Sequence, residues 1–125
     1  MKAYWIAHVD VDDAEHYSQY TQRAPAAFAE FGAKFLARGG RSEALEGRAT
    51  PQRSVVIEFE SYEQALACYH SAAYQEAKRY REEWARAEII IVEGIATNTI
   101  RADLSAFFLV SAGAAAIGAL VPGWS

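Results

Sequence analysis

Ala3-Tyr4-Trp5-Ile6-Ala7-His8-Val9 is the stretch that decides the fold. Aromatic and β-branched residues dominate it, and these suit a pleated strand. Alternation puts Trp5, Ala7 and Val9 on one face and Tyr4, Ile6 and His8 on the other. Both faces therefore carry apolar groups, and such a strand needs cover on two sides.

Reading outward, Asp12 with Glu15 three residues on predicts a capped helix start. Tyr17, Tyr20, Ala24, Phe28 and Phe31 then recur at spacings of three or four, which is one buried helical face. Pro25 predicts a kink there or a second helix beginning at that point, and Gly32 ends the segment. Residues 33–38 read as a second strand closed by Gly39-Gly40, with residues 41–46 as a short strand or arm up to Gly47. After a polar loop containing Pro51, residues 53–59 form a third strand with Val55, Ile57 and Phe59 on one face. Ser61 with Gln64 starts a second helix, and Ser71 caps a further one running to about Ala85. Residues 88–93 are apolar on both faces and predict a fourth, central strand, ended by Gly94.

The order β-α-β-β-α-β is the split βαβ pattern, an α+β ferredoxin-like sandwich. Its helices cover one sheet face only. A second copy of the same sheet is the economical cover for the other, which predicts a symmetric homodimer.

A chain of 125 residues suits one domain. The formal charge of −4 argues against a nucleic-acid partner, because phosphate binding rests on neutralising cations. A lone cysteine, Cys68, excludes an intrachain disulfide framework and a cysteine-rich zinc site. The short apolar run after Met1-Lys2 meets Asp10, Asp12 and Asp13 too soon for a signal peptide, so a cytoplasmic location is expected. The domain is expected over residues 1–95, followed by a linker and an apolar C-terminal helix over 96–125. Leu104 to Val121 carries no charge and ends at Pro122-Gly123. As a helix it would span about 27 Å, slightly under the hydrocarbon core of a bilayer. One reading packs it against a neighbouring subunit, and another anchors the chain to the cytoplasmic face of a membrane. A third leaves it unstructured.

Tyr4 to Asp10, Tyr17 with Tyr20, Phe35-Leu36-Ala37-Arg38-Gly39-Gly40 and Leu45-Glu46-Gly47 have a familiar order. So do Val56-Ile57-Glu58-Phe59, Ser61-Tyr62, Cys68-Tyr69, Tyr74 and Val92-Glu93-Gly94. Over about residues 2–95 the chain resembles the domain-of-unknown-function family numbered 1330, of the dimeric α+β barrel superfamily. The resemblance implies a ferredoxin-like subunit and a barrel made by two sheets back to back. It implies no particular reaction. The superfamily ranges from cofactor-independent monooxygenases and muconolactone-type isomerases to stress-responsive and haem-binding barrels, so fold alone cannot choose. The tail from about Ala96 departs from the family pattern.

The candidate chemistry rests on three ionisable residues. His8 could serve as a general base near neutral pH, poised between sheet and helices, or could be a satisfied core or interface histidine. Arg38, beside the Gly39-Gly40 turn, could clamp a carboxylate with its planar fork, or pair with Glu58 or Glu46. Glu58 could couple with His8 or Arg38, or sit as a rim carboxylate. Tyr17, Tyr20, Tyr69 and Tyr74 could shape a pocket for an aromatic or carboxylate-bearing molecule, or simply be core. His16 and His70 lack metal-ligand spacing, and no paired motif is present, so neither metal nor cofactor is expected. Two functions stay open. One is cofactor-independent acid/base chemistry on a small molecule between sheet and helices. The other is a non-catalytic assembly or ligand-binding protein, membrane-tethered through residues 104–121 in one version.

Overall fold

In the computed structural model, residues 1–96 are described, and the expected helix over 104–121 lies outside them. The elements run β1 (Ala3–Val11), α1 (Ala14–Glu30), β2 (Lys34–Arg38), β3 (Arg53–Phe59), α2 (Tyr62–His70), α3 (Ala72–Arg79) and β4 (Ala85–Glu93). The four strands form one antiparallel sheet in the order β2-β3-β1-β4. This is the α+β ferredoxin-like arrangement expected from the pattern.

The alternation in β1 is realised as a strict burial pattern. Trp5 and Val9 are 1% and 4% exposed, beneath the helices, while Tyr4, Ile6 and His8 lie on the opposite face. Val55, Ile57 and Phe59 of β3 share the inner face with Trp5. Trp5 is the centre of the core. Phe28 meets its ring edge-on at 4.9 Å, Tyr74 edge-on at 5.0 Å, and Phe59 stacks at 6.0 Å. Such aromatic contacts add to the burial term, which dominates here.

Several local expectations shift. Asp13, not Asp12, caps α1, and its carboxylate accepts from the backbone N–H of His16 at 3.1 Å. Pro25 sits inside α1 without splitting it, although its ring removes the bond to the Thr21 carbonyl. Gly32, at φ +68°, takes the left-handed turn after the helix that a side chain would resist. Residues 41–46 form no strand. Ser61 and Ser71 cap α2 and α3 as expected, but α3 ends at Arg79, well short of Ala85. One correction concerns the sheet itself: β4 is an edge strand, and β1 and β3 are central. Its apolar outer face has a different cause from central burial, since Ile90 and Val92 are 61% and 45% exposed. Among the described residues, no helix is long and apolar enough to cross a membrane.

Candidate functional site

Inward parity carries charge as well as apolar groups. Arg53 pairs across from Val9, and Arg38 across from Val55, so both guanidinium-bearing residues stand on the helix side at one end of the sheet. The register shift between Phe35 and Ala37 lets Phe35 and Arg38 share that face. Helix α1 lays Tyr17, Tyr20, Thr21 and Phe28 over it, and Arg81 reaches in from just beyond α3. Together they line a cavity of about 40 Å³ that is partly open to solvent. That is room for a few waters. Ligand sites more often exceed about 300 Å³. The exposed Arg38 forms part of the wall, so swinging this long side chain outward is the simplest way to enlarge it. A wider groove of about 440 Å³ lies between Tyr62, Leu66, Tyr69 and Lys78 on the helices and Ile89 and Ile91 on β4, and Arg81 lines both spaces.

The polar groups of the cavity form one network with one gap. The Arg81 guanidinium donates to the Tyr74 hydroxyl at 3.1 Å. Tyr74 and Tyr20 share a hydroxyl–hydroxyl bond of 2.9 Å. Arg81 also lies over the Tyr20 ring at 5.3 Å, and Arg38 over the Phe35 ring at 4.4 Å. Arg53 Nε is buried and has no hydrogen-bond partner among the described residues. An unpaired buried donor costs on the order of 1–3 kcal/mol. Among the described residues, none of Arg38, Arg53 and Arg81 has a carboxylate within ion-pair distance. An acidic chain therefore gathers three carboxylate-free cations around one small cavity.

Burial raises the Tyr17 hydroxyl pKa above the usual phenol range, with Arg53 and Arg81 opposing it. Burial raises that of Tyr20 much further, helped by Tyr74. Both phenols are protonated at neutral pH. Among the described residues, the lining of this cavity contains no histidine and no carboxylate.

The residues singled out from the sequence divide across the sheet. Tyr17, Tyr20 and Arg38 line the cavity. Tyr74 is fully buried behind it and reaches it through its hydroxyl. Tyr69 faces the wider groove. His8 and Glu58 are on the other side of the sheet, which corrects the idea of a histidine between sheet and helices. His8 Nδ1 bonds Ser54 Oγ at 3.0 Å. Glu58 lies 3.5 Å from the Lys2 ammonium and opposite Tyr4, so it partners neither His8 nor Arg38. Tyr4 and His8 are four residues apart on β1, so about 13 Å of strand separates His8 from the Glu58 rung. Cys68 is buried, which pushes its thiol up to about 12 and leaves it unreactive. No cluster of three or more potential metal ligands occurs among the described residues. Arg53 and Arg81 also line the cavity and are not among the residues the sequence pattern singles out. Arg53 could have been found by its parity with Val55, Ile57 and Phe59, and Arg81 by its place seven residues after Tyr74 on the inward stripe.

Comparison with known proteins bears on this geometry. The pattern described as Domain of unknown function (DUF1330) matches residues 2–95. The chain belongs to the DUF1330 family. No curated protein matches it. A protein of unknown function from Rhodopseudomonas palustris is similar in structure, with a TM-score of 0.62 at 17% identity, over 76% of this chain and 83% of its own. The cofactor-independent oxygenase SnoaB from Streptomyces nogalater gives 0.55 at 8% identity, over 76% of this chain and 94% of its own. A dimeric ferredoxin-like protein of unknown function from Jannaschia sp. CCS1 gives 0.54 at 10% identity, over 75% of this chain and all of its own. At these identities the likeness establishes the fold of this DUF1330 member and leaves its chemistry to its own residues.

Proposed function

We propose that this chain is a small-molecule-binding protein that acts as a homodimer, with one ligand pocket per subunit between α1 and the sheet. The observation that carries the pocket is the gathering of Arg38, Arg53 and Arg81 around an aromatic-walled cavity without a carboxylate partner among the described residues. A few convergent polar groups in an apolar wall are what a binding site requires. The dimer is supported by the outer face, where Tyr4, Ile6, Val56, Ile90 and Val92 present apolar surface that no helix among the described residues covers. Relatives of the same fold are described as dimeric.

The pocket favours binding over acid/base catalysis by the protein. Its ionisable groups are phenols and guanidiniums, which donate hydrogen bonds and do not accept protons at neutral pH. His8 and Glu58 are walled off by the sheet. A second reading keeps cofactor-independent chemistry, with the substrate's own anion as the base and the pocket stabilising the charge that develops. It is supported by the shared fold of SnoaB, described as a cofactor-independent oxygenase.

Amide and aromatic NMR of the full chain, titrated with a mixed set of small organic fragments, tests the pocket. Shifts should concentrate on Tyr17, Thr21, Phe35 and Arg53. Shifts confined to Tyr4, His8 and Glu58, or no shifts at all, would place the function elsewhere.

A further inference from the structure

We propose that Arg53 anchors the carboxylate of an aromatic acid held in this pocket, a reading that rests on the pocket function proposed above. The first support is the orphaned donor. Arg53 lines the cavity, its Nε is shielded from solvent, and nothing among the described residues accepts from it. A guanidinium edge offers two parallel N–H donors, and Nε is one member of the edge that a carboxylate engages with both oxygens.

The second support is Gly39. A Cβ there would lie 2.7 Å from Arg53 Nη1, and the residue sits at φ +75°. The guanidinium therefore packs against bare backbone. The turn that ends β2 leaves room for the Arg53 head group to lie against it. Preorganisation of this kind lowers the ordering cost of binding an anion.

The third is the division of labour among the cations. Arg81 already spends a donor on Tyr74, and Arg38 is exposed and stacked on Phe35. An exposed cation contributes little to a pair. Arg53 is the one of the three with a shielded, unpaired Nε among the described residues.

The walls specify the rest of the ligand. Tyr17, Tyr20, Phe28 and Phe35 offer rings, and Ala24 and Pro25 a flat aliphatic surface, so the body of the molecule is a planar ring. A single guanidinium edge that includes the unpaired Nε suits a two-oxygen monoanion better than a three-oxygen phosphate dianion.

The test uses the full chain and calorimetric titration with benzoate, benzamide and phenyl phosphate. Benzamide has the shape of benzoate without its charge. The wild-type chain should bind benzoate about tenfold or more tightly than benzamide. Arg53→Gln should erase that preference and Arg53→Lys should restore only part of it, while Arg79→Gln, at the exposed end of α3 and outside the pocket, should keep it; Arg38→Gln tests the competing anchor. Circular dichroism establishes that each variant is folded, and Arg53→Lys serves if the glutamine variant is not. Equal binding of benzoate and benzamide would overturn the anchor and leave the pocket standing. So would a preference for phenyl phosphate, or a preference that follows Arg38 instead. Failure of all three probes to bind would overturn the anchor and the pocket together.

Discussion

Trp5 and Ile6 are neighbours in β1, yet Trp5 is 1% exposed beneath three helices and Ile6 lies on a face with no helix over it among the described residues. The same division runs along β3. On the inner face, large rings interlock and the cations sit at one end around a cavity. On the outer face, apolar residues alternate with Glu58, Ser54 and His8, and the polar groups pair with near neighbours. One sheet thus carries two chemistries at a spacing of one residue. The inner face is completed within the chain. Nothing among the described residues completes the outer face, and we propose that a second copy does.

The sharpest way to break this comparison is to remove the ring at its centre. Trp5→Ala should destabilise the fold by about 3–5 kcal/mol, because the cavity left behind cannot be refilled by Phe28, Phe59 and Tyr74 without leaving their own contacts. Urea denaturation measures it. A loss below about 1 kcal/mol would mean that the core collapses around the gap. The matching change on the other face is Ile90→Asp. Ile90 is 61% exposed in the single chain, so the subunit should lose no more than about 0.5–1 kcal/mol. The assembly should lose far more, since a carboxylate would be buried against a second sheet. Light scattering should then report half the wild-type mass. An unchanged mass would mean that the outer face is not the contact.

Much of this was legible in the order of residues, and the failures are instructive. Alternation in β1 and β3 and the serines before α2 and α3 are local signals, and the chain obeys them. The position of β4 is not a local property. Ile89, Ile90 and Ile91 read as a strand buried on both faces, but an edge strand facing a second sheet carries the same pattern. The parity of His8 was readable too. Its alternation with Trp5 and Ala7 already placed it away from the helices, and assigning it a role between sheet and helices overrode that. Arg53 illustrates the reverse. Its inward parity was plain from Val55 and Ile57, but an arginine at a strand start reads as a solvated end until Gly39 and Tyr17 are seen beside it. Long-range packing supplies that information, and periodicity does not.

A smaller effect separates the polar inner end from the apolar inner centre. Tyr20→Phe keeps the ring and removes one hydroxyl bonded to Tyr74 at 2.9 Å. At neutral pH the expected loss is about 1 kcal/mol, since Tyr74 keeps its bond from Arg81. The alkaline limb is more informative. The hydroxyl of Tyr20 ionises near pH 10 in the unfolded chain, and burial followed by the neighbouring Tyr74 raises its pKa well above that in the fold. Stability from keeping this phenol neutral is fully present below pH 10. It is lost as pH rises from there toward the folded value, because the unfolded state releases the proton first. Wild type should therefore lose stability above pH 10 faster than Tyr20→Phe, and the gap between them should close with rising pH. A gap that stayed constant across that range would mean that water reaches the Tyr20 hydroxyl. The cavity end of the inner face would then be as wet as the outer face, and the contrast between the two sides would hold only around Trp5.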